Sequence, residues 1–154
     1  MQHPKQKGDR TTLAVMTALH SAGFGVLVPF GENNRYDLAI DDGSRLARVQ
    51  CKTGRLRNGA VWFATCSSYA HHRSRGAPTR TYVGEVEFFA VHSAETGGVY
   101  LVPIQHVHTR RTCALRVTPA RNAQRKRIRL ARDYKIGTVA ICAANTVAIC
   151  AAND

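Results

Sequence analysis

Residues 36–53 read YDLAIDDGSRLARVQCKT, and this stretch decides the fold. YDLAI (36–40) is predicted to be a short strand, and RLARVQCKT (45–53) alternates apolar and polar side chains as a second strand does. The residues between them, DDGS (41–44), contain the Asp-Gly pair that is typical of a tight turn. The stretch therefore predicts a β-hairpin.

Polar side chains with complementary chemistry lie on the two strands of this hairpin. Asp37 is on the first strand, and Gln50, Cys51 and Lys52 follow one another on the second. Because side chains alternate along a strand, Gln50 and Lys52 share one face and Cys51 points to the other. If the chain turns at the Asp-Gly pair, a carboxylate, an amide oxygen and an ammonium group converge at one edge.

This combination suits the hydrolysis of a phosphodiester bond. A hard divalent cation prefers oxygen ligands, which the Asp37 carboxylate, the Gln50 amide and a backbone carbonyl can supply. Such a cation acidifies a bound water and offsets the charge that grows on phosphorus. Lys52 can orient or deprotonate the attacking water, or stabilise the charged transition state.

The hairpin resembles the PD-(D/E)XK nuclease superfamily, in which a Pro-Asp pair is followed, after a variable gap, by Asp/Glu-x-Lys on the next strand. The segments PFGENNRYDL (29–38) and RVQCKT (48–53) look like the branch that includes group I intron-encoded homing endonucleases. KGD (7–9) and GGVYLVP (97–103) extend the likeness, which covers about residues 5–135.

The resemblance implies an α/β (α+β) fold, with a central mixed β-sheet flanked by helices in an αβββαβ-like nuclease core. It also implies a Mg²⁺-dependent endodeoxyribonuclease, with Mn²⁺ as an alternative cofactor. The catalytic residues are then Asp37, Gln50 and Lys52. The metal ligands are Asp37, Gln50 and the backbone carbonyl of Cys51.

The chain departs from the pattern of this family at three positions. Tyr36 stands where the superfamily has Pro, which holds no ligand, and Gln50 replaces the acidic ligand, as it does in this branch. The family tends to place a Glu on the first helix, where this chain has Thr12. Asp9 lies three residues earlier, about one helical turn away, and is a weak candidate to replace that Glu.

The charge balance favours a polyanionic partner. Twenty-two Lys and Arg, of which 17 are Arg, face ten Asp and Glu and give a net charge of +12. Such a field attracts nucleic acid, and the planar Arg fork suits phosphate oxygens and guanine edges. The alternatives are an anionic membrane surface or a basic protein with no particular partner, since charge bears on association and not on fold.

Double-stranded DNA is the predicted partner, and three segments supply the predicted contacts. The first follows Lys52 directly, the second is the polar loop at residues 69–80, and the third is the basic stretch 121–132. The spacing Cys66-x4-His71-His72 fits no closed zinc pattern, so the loop is interpreted as a DNA contact or a solvated loop. The predicted DNA-binding residues are Arg55, Arg57, Tyr69, His71, His72, Arg73, Arg125 and Arg127.

The rest of the chain predicts one helix followed by several strands. Helical spacing of apolar residues runs over 11–22, with Thr11 or Thr12 as its cap. Pro29 limits the strand at 25–30 to an edge or a terminus. Further strands are predicted at residues 60–69, 83–91 and 98–104, and the segment 115–132 begins as extended chain.

The C-terminus carries a perfect duplication. TVAICAAN (138–145) is followed at once by a second copy (146–153). Solenoid repeats are longer and diverged. We therefore predict a nuclease domain at 1–135 and an apolar tail at 136–154 outside the core.

Five cysteines without a CxxC pair and a polar N-terminus predict a cytoplasmic protein with reduced thiols. No apolar run is long enough to span a membrane. Cutting both strands of a duplex calls for at least two copies, so a homodimer or homotetramer is expected. The alternative functions are a catalytically inactive DNA-binding module of the same fold and a Holliday junction resolvase.

Overall fold

The computed structural model describes residues 4–67, 79–122 and 124–137. In this part of the chain a single α-helix precedes ten short strands. The helix is α1 (Pro4–Ser21), and the strands are β1 (Gly25–Leu27), β2 (Leu38–Asp41), β3 (Leu46–Thr53), β4 (Arg55–Arg57), β5 (Ala60–Ala64), β6 (Cys66–Ser67), β7 (Arg80–Thr81), β8 (Phe88–Ser93), β9 (Gly98–Pro103) and β10 (Thr112–Arg116).

A five-stranded mixed sheet forms the centre of the fold, with strand order β1-β2-β3-β8-β9. β3 and β8 are parallel, and the other neighbours are antiparallel. The predicted hairpin is confirmed, because β2 and β3 pair from Asp41 opposite Leu46 to Leu38 opposite Val49. β1 is at the edge of the sheet, as Pro29 predicted.

Two carboxylates hold the tight turn between β2 and β3: Asp41 Oδ1 accepts the Gly43 N–H at 2.8 Å, and Asp42 accepts the remaining donors. Asp42 Oδ1 accepts hydrogen bonds from the backbone N–H groups of Ser44 and Arg45, each at 2.9 Å. The Ser44 hydroxyl also donates to it, and these donors lower the pKa of Asp42 to about 2. Gly43 has a φ of 90°, which a residue with a side chain rarely adopts. The register of the hairpin therefore follows from local sequence.

Layers cover both faces of the central sheet. On one face, Val15 and Leu19 of α1 pack in a buried cluster with Leu38 and Val49. On the other face lies a three-stranded sheet with the order β10-β5-β4, and its Phe63 packs edge-to-face on Phe89 of β8. The result is an α/β/β arrangement around two apolar clusters.

The helix begins seven residues earlier than the predicted start at residue 11. Thr11 and Thr12 therefore lie inside α1, and the prediction that one of them caps it was wrong. The apolar period starts only at Leu13, whereas the first turns are polar and exposed, so periodicity missed them. A proline is tolerated in the first turn, because its missing N–H has no intrahelical partner there.

The crossover from β3 to β8 differs from an αβββαβ core. Its described residues, 54–67 and 79–87, form the strands β4 to β7 and contain no helix. The predicted strand at 83–91 begins only at Phe88, because the N–H groups of Glu85 and Val86 turn back to the carbonyl of Tyr82. β9 agrees with its prediction to within one residue.

The packed chain continues to residue 136. The backbone N–H of Ile136 donates to the carbonyl of Val99 at 2.9 Å, and its side chain packs on the cluster beneath α1. Ile136 thus contacts the core, the predicted boundary at 135 stays a prediction, and the duplicated octapeptide lies outside the described residues. Within the described chain, no helix has the length and hydropathy needed to cross a membrane.

Candidate active site

The site lies where β2 ends and β3 continues. The register stops at Leu38 opposite Val49, and the N–H of Asp37 donates to the Val49 carbonyl at 2.9 Å. Beyond that point, β3 runs on to Thr53 with no described strand on its β2 side. Backbone groups that face one neighbour recur at every second residue of a strand, so the N–H and C=O of Cys51 face the space left by β2.

The Asp37 carboxylate occupies this space. Its Oδ2 accepts a hydrogen bond from the backbone N–H of Cys51 at 2.8 Å and another from Gln50 Nε2 at 2.6 Å. Within the described residues, Oδ1 of Asp37 accepts no hydrogen bond. The sheet thus orients one carboxylate oxygen with two donors and leaves the other for a ligand.

Lys52 is held by residues of the crossover. Its Nζ donates to the phenol oxygen of Tyr82 at 3.2 Å and to the carbonyl of Cys66 at 3.4 Å. The same atom lies 4.5 Å from the centroid of the Tyr82 ring, where the negative face of the ring attracts a cation. These contacts explain why the strand can hold a half-buried lysine.

Arg35 is a part of the site that the sequence analysis missed. Its Cζ lies 4.2 Å from the Tyr82 ring centroid, its Nε donates to Glu85 Oε2 at 2.5 Å, and a terminal nitrogen donates to the Thr81 carbonyl at 3.0 Å. A second terminal nitrogen donates to the Ser67 hydroxyl at 3.0 Å. Arg35 thereby ties the turn before β2 to the crossover that holds Lys52.

No local pattern could have identified Arg35. Its partners are 32 to 50 residues away along the chain. The available signal was its position two residues before Asp37, which does not distinguish it from any other arginine in a turn.

Burial and charge act in opposite directions on Asp37. Burial is the largest cause and raises the pKa of its carboxyl above 3.8, while the Cys51 N–H, the Lys52 charge and the Gln50 amide lower it in turn. The pKa of the Cys51 thiol is raised to about 12, first by burial and then by the negative charge of Asp37. The thiol therefore stays protonated and packs against α1.

The donor set fits a hard divalent cation. An ionised Asp37 can only accept hydrogen bonds, so Gln50 presents Nε2 to it and has its amide oxygen for a ligand. The C=O of Cys51 faces the same space as its N–H, which donates to Asp37. Carboxylate, amide and carbonyl oxygens are the ligands that Mg²⁺ and Mn²⁺ prefer, and they do not suit zinc.

Asp9, the weak candidate for an acidic ligand on the helix, stays a prediction. Within the described residues, no group of three or more His, Cys, Asp or Glu side chains could hold a metal ion, and Asp9 is exposed on α1. The family tends to have a Glu at the position of Thr12. In this chain the Thr12 side chain forms a hydrogen bond with the Cys51 thiol. Next to it, the hydroxyls of Thr11 and Thr53 are 2.7 Å apart. Both threonines thus attach the helix to β3.

The predicted DNA-binding residues are distributed over the surface. Arg55 and Arg57 are exposed on β4, directly after β3, and Arg125 and Arg127 are exposed in the segment after β10. The remaining ones, Tyr69, His71, His72 and Arg73, lie outside the described residues.

Comparison with known proteins identifies the family and the fold. A family model described as PD-(D/E)XK endonuclease matches residues 2–137. A solved bacterial homing endonuclease, I-Ssp6803I, superposes with a TM-score of 0.70 at 22% identity, covering 87% of this chain and 89% of that one. No curated protein sequence matches the chain. Nucleases of this family generally use divalent metal ions. The chain is a mixed α+β protein and belongs to the PD-(D/E)XK endonuclease family.

Proposed function

We propose that this protein is a Mg²⁺-dependent endonuclease that hydrolyses phosphodiester bonds at a defined target in double-stranded DNA. The observation that carries the proposal is the meeting of Asp37, Gln50 and the Cys51 backbone at the end of β2, with Lys52 beside them. Mn²⁺ has similar ligand preferences and is expected to replace Mg²⁺.

Each residue has a distinct role in the proposed reaction. Asp37, the Gln50 amide oxygen and the Cys51 carbonyl hold the cation. When bound, that cation neutralises charge at the scissile phosphate and acidifies water. Lys52 donates a hydrogen bond to the phosphate oxygens or the attacking water, after its Nζ leaves Tyr82 and Cys66. The Cys51 N–H and Gln50 Nε2 keep the carboxylate in place.

Charge and position support duplex DNA as the substrate. The chain has a net charge of +12, and Arg55 and Arg57 are exposed on the strand that follows Lys52. Tyr69, His71, His72, Arg73, Arg125 and Arg127 are proposed as further contacts. The structural relative I-Ssp6803I is a homing endonuclease, and this likeness supports a defined target sequence.

A duplex cut needs two active sites, so we propose a homodimer or homotetramer. β1 is an edge strand, and Leu27, Val28 and Phe30 at its end are exposed apolar side chains that a subunit contact would cover. The described cysteines Cys51, Cys66 and Cys113 are free thiols, which suits a reducing compartment such as the cytoplasm.

Supercoiled plasmid is the direct test. We expect nicked and then linear DNA with Mg²⁺ or Mn²⁺, and intact plasmid with EDTA. A four-way junction in parallel distinguishes a duplex endonuclease from a junction resolvase, since the duplex is expected to be cut at least as fast. Intact plasmid in both metals, across a pool of plasmids with random inserts and from protein that binds them in a gel shift, would contradict the proposed activity.

A DNA-binding module that has lost catalysis is the second candidate. It is favoured by the single carboxylate of the site and by Thr12 in place of an acidic helix residue. The variant Gln50→Glu adds the missing acidic ligand beside Asp37. Cleavage that appears only in this variant, with wild-type protein inactive, would identify the natural chain as the binding module.

A further inference from the structure

Arg116, the last residue of β10, lines two neighbouring cavities of about 720 Å³ and 710 Å³. Thr118, Pro119 and Ala120 also line both of them, so the segment after β10 separates the two spaces. Each cavity is large enough to admit a phosphate group. Neither belongs to the candidate active site, whose residues are absent from both linings.

All the charged side chains that line these cavities are arginines. Arg125 and Arg132 join Arg116 in the larger cavity, and Arg121 joins it in the smaller one. No Asp or Glu of the described chain is in either lining. Arg132 pairs with Asp133 at 3.8 Å, outside the linings, and the other three guanidinium groups create a local attraction for an anion.

The guanidinium of Arg116 has only one of its edges in use. Its Nη1 donates to the Asn58 carbonyl at 2.9 Å, which ties it to the turn between β4 and β5. Its Nε is buried, and neither Nε nor Nη2 donates to an acceptor among the described residues. A buried donor without an acceptor is costly in a folded protein and marks a missing partner.

The free edge has the geometry of a phosphate receptor. The Nε–H and Nη2–H bonds of arginine are parallel, and they match two oxygens of one phosphate. The Nε atom is shielded from water, so the flexible side chain must turn toward the cavity to present both donors. The Asn58 carbonyl holds the opposite edge and limits how far it turns.

We propose that Arg116, with Arg121 and Arg125, binds a backbone phosphate of the DNA duplex at some distance from the cleaved bond. This inference rests on the proposed function, and it adds a residue that the charge pattern of the sequence did not single out. Arg116 pairs with Ala60 at the start of β5, and Lys52 contacts Cys66, six residues further along. At about 3.3 Å per residue the two sites are at most about 20 Å apart. That limit corresponds to up to about six phosphates of one DNA strand.

The test measures binding of a labelled 30-base-pair duplex in EDTA, where no cleavage occurs, from 50 to 200 mM KCl. For the wild type, contact with about six phosphates lowers affinity by roughly 10³-fold over this range. Arg116→Gln is expected to reduce the slope of log affinity against log salt by about 1 and to weaken binding. Arg116→Lys keeps the charge, so the slope stays, but it loses the planar fork and still weakens binding by about 3-fold to 10-fold.

Arg45→Gln is the matched control. Arg45 is an exposed arginine at the β2–β3 turn, paired with Asp42 at 3.4 Å and absent from both cavities. We expect it to leave slope and affinity unchanged. An equal loss in Arg45→Gln and Arg116→Gln would overturn the proposal, because the effect would then come from net charge and not from a site.

Folding is measured in the same variants. If the melting temperature of Arg116→Gln shows that it does not fold, the double variant Arg121→Gln/Arg125→Gln, at two exposed positions, replaces it. This double variant is expected to reduce the slope of log affinity against log salt by about 2. Unchanged binding in a folded variant overturns the Arg116 site alone. Wild-type protein that binds no duplex overturns the proposed function as well.

Discussion

The two faces of β3 carry different properties of the molecule. Ala47, Val49 and Cys51 face α1, and at 6%, 0% and 9% exposure they belong to a buried apolar cluster. The residues between and after them face the other side and are half-buried polar groups with partners: Arg48 contacts Glu87, and Gln50 contacts Asp37. Lys52 follows on the same face, against Tyr82.

This difference shows how a short strand combines stability and chemistry. Alternation assigns successive side chains to opposite faces, so a residue on one face can change without displacing its neighbour on the other. The apolar face contributes free energy of folding through burial. The polar face contributes oriented donors and acceptors. Substitutions on the two faces should therefore separate stability from cleavage.

Asp37→Asn should have the largest effect on cleavage. It removes the one carboxylate of the candidate metal site, and a cation that supplies several kcal/mol of transition-state stabilisation accounts for a loss of about 10³-fold or more. Plasmid cleavage measures this, and Asp133→Asn, an exposed carboxylate elsewhere, is the control. Cleavage at the wild-type rate in Asp37→Asn would break the assignment of the polar face to catalysis.

Asp37→Asn should also change how the stability of the folded protein depends on pH. Burial raises the pKa of Asp37 above 3.8, so between 3.8 and that pKa the folded state binds more protons than the unfolded state. The charged carboxylate thus costs stability above its folded pKa, and this cost disappears as pH falls through it. Asp37→Asn removes the charge, so its melting temperature at pH 7 should equal or exceed that of wild type. Melting temperature measured against pH in EDTA, for wild type and Asp37→Asn, tests this difference.

Lys52→Ala should reduce cleavage by roughly 10²-fold while leaving DNA affinity within a few-fold, as expected for a group that acts in the transition state. Lys52→Arg retains a cation and should recover part of the rate. Lys135→Ala, an exposed lysine at the end of the described chain, is the control. A loss of affinity that matches the loss of rate would show that Lys52 serves binding and not chemistry.

Val49→Ala tests the apolar face. Val49 is fully buried, and removing two methyl groups should lower the free energy of unfolding by about 2 kcal/mol. Cleavage by the folded protein at a temperature well below its melting point should remain near wild type. Val83→Ala, at 72% exposure, makes the same chemical change without a cavity. If Val49→Ala lost activity while staying folded, the two faces would be coupled.

Deletion of residues 138–154 should have the smallest effect. Two copies of one octapeptide cannot both fill a single specific niche, and the family match ends at residue 137. We expect unchanged melting temperature, gel-filtration volume and cleavage. A drop of several degrees, or a change of oligomer, would show that the duplicated segment belongs to the core or to a subunit contact.

Local sequence was sufficient for the hairpin. The Asp-Gly pair requires a turn residue with positive φ, and the alternation of residues 45–53 leaves only one register that buries Val49 and Cys51. The pairing of Asp37 with Gln50 follows from that register, so the centre of the candidate site could be predicted. The start of α1 could not, because its first turns are polar and show no apolar period.

The sequence by itself determined the family, the hairpin and the residues that converge on it, because these depend on contacts between near neighbours in the chain. Only the tertiary structure decided what surrounds them. Arg35 reaches Glu85, and Lys52 reaches Tyr82, across 50 and 30 residues respectively. Arg116 lines its cavities because β10 pairs with β5, a strand of the crossover between β3 and β8. Contacts at such separation depend on how the layers pack, and packing leaves no periodic trace in the local sequence.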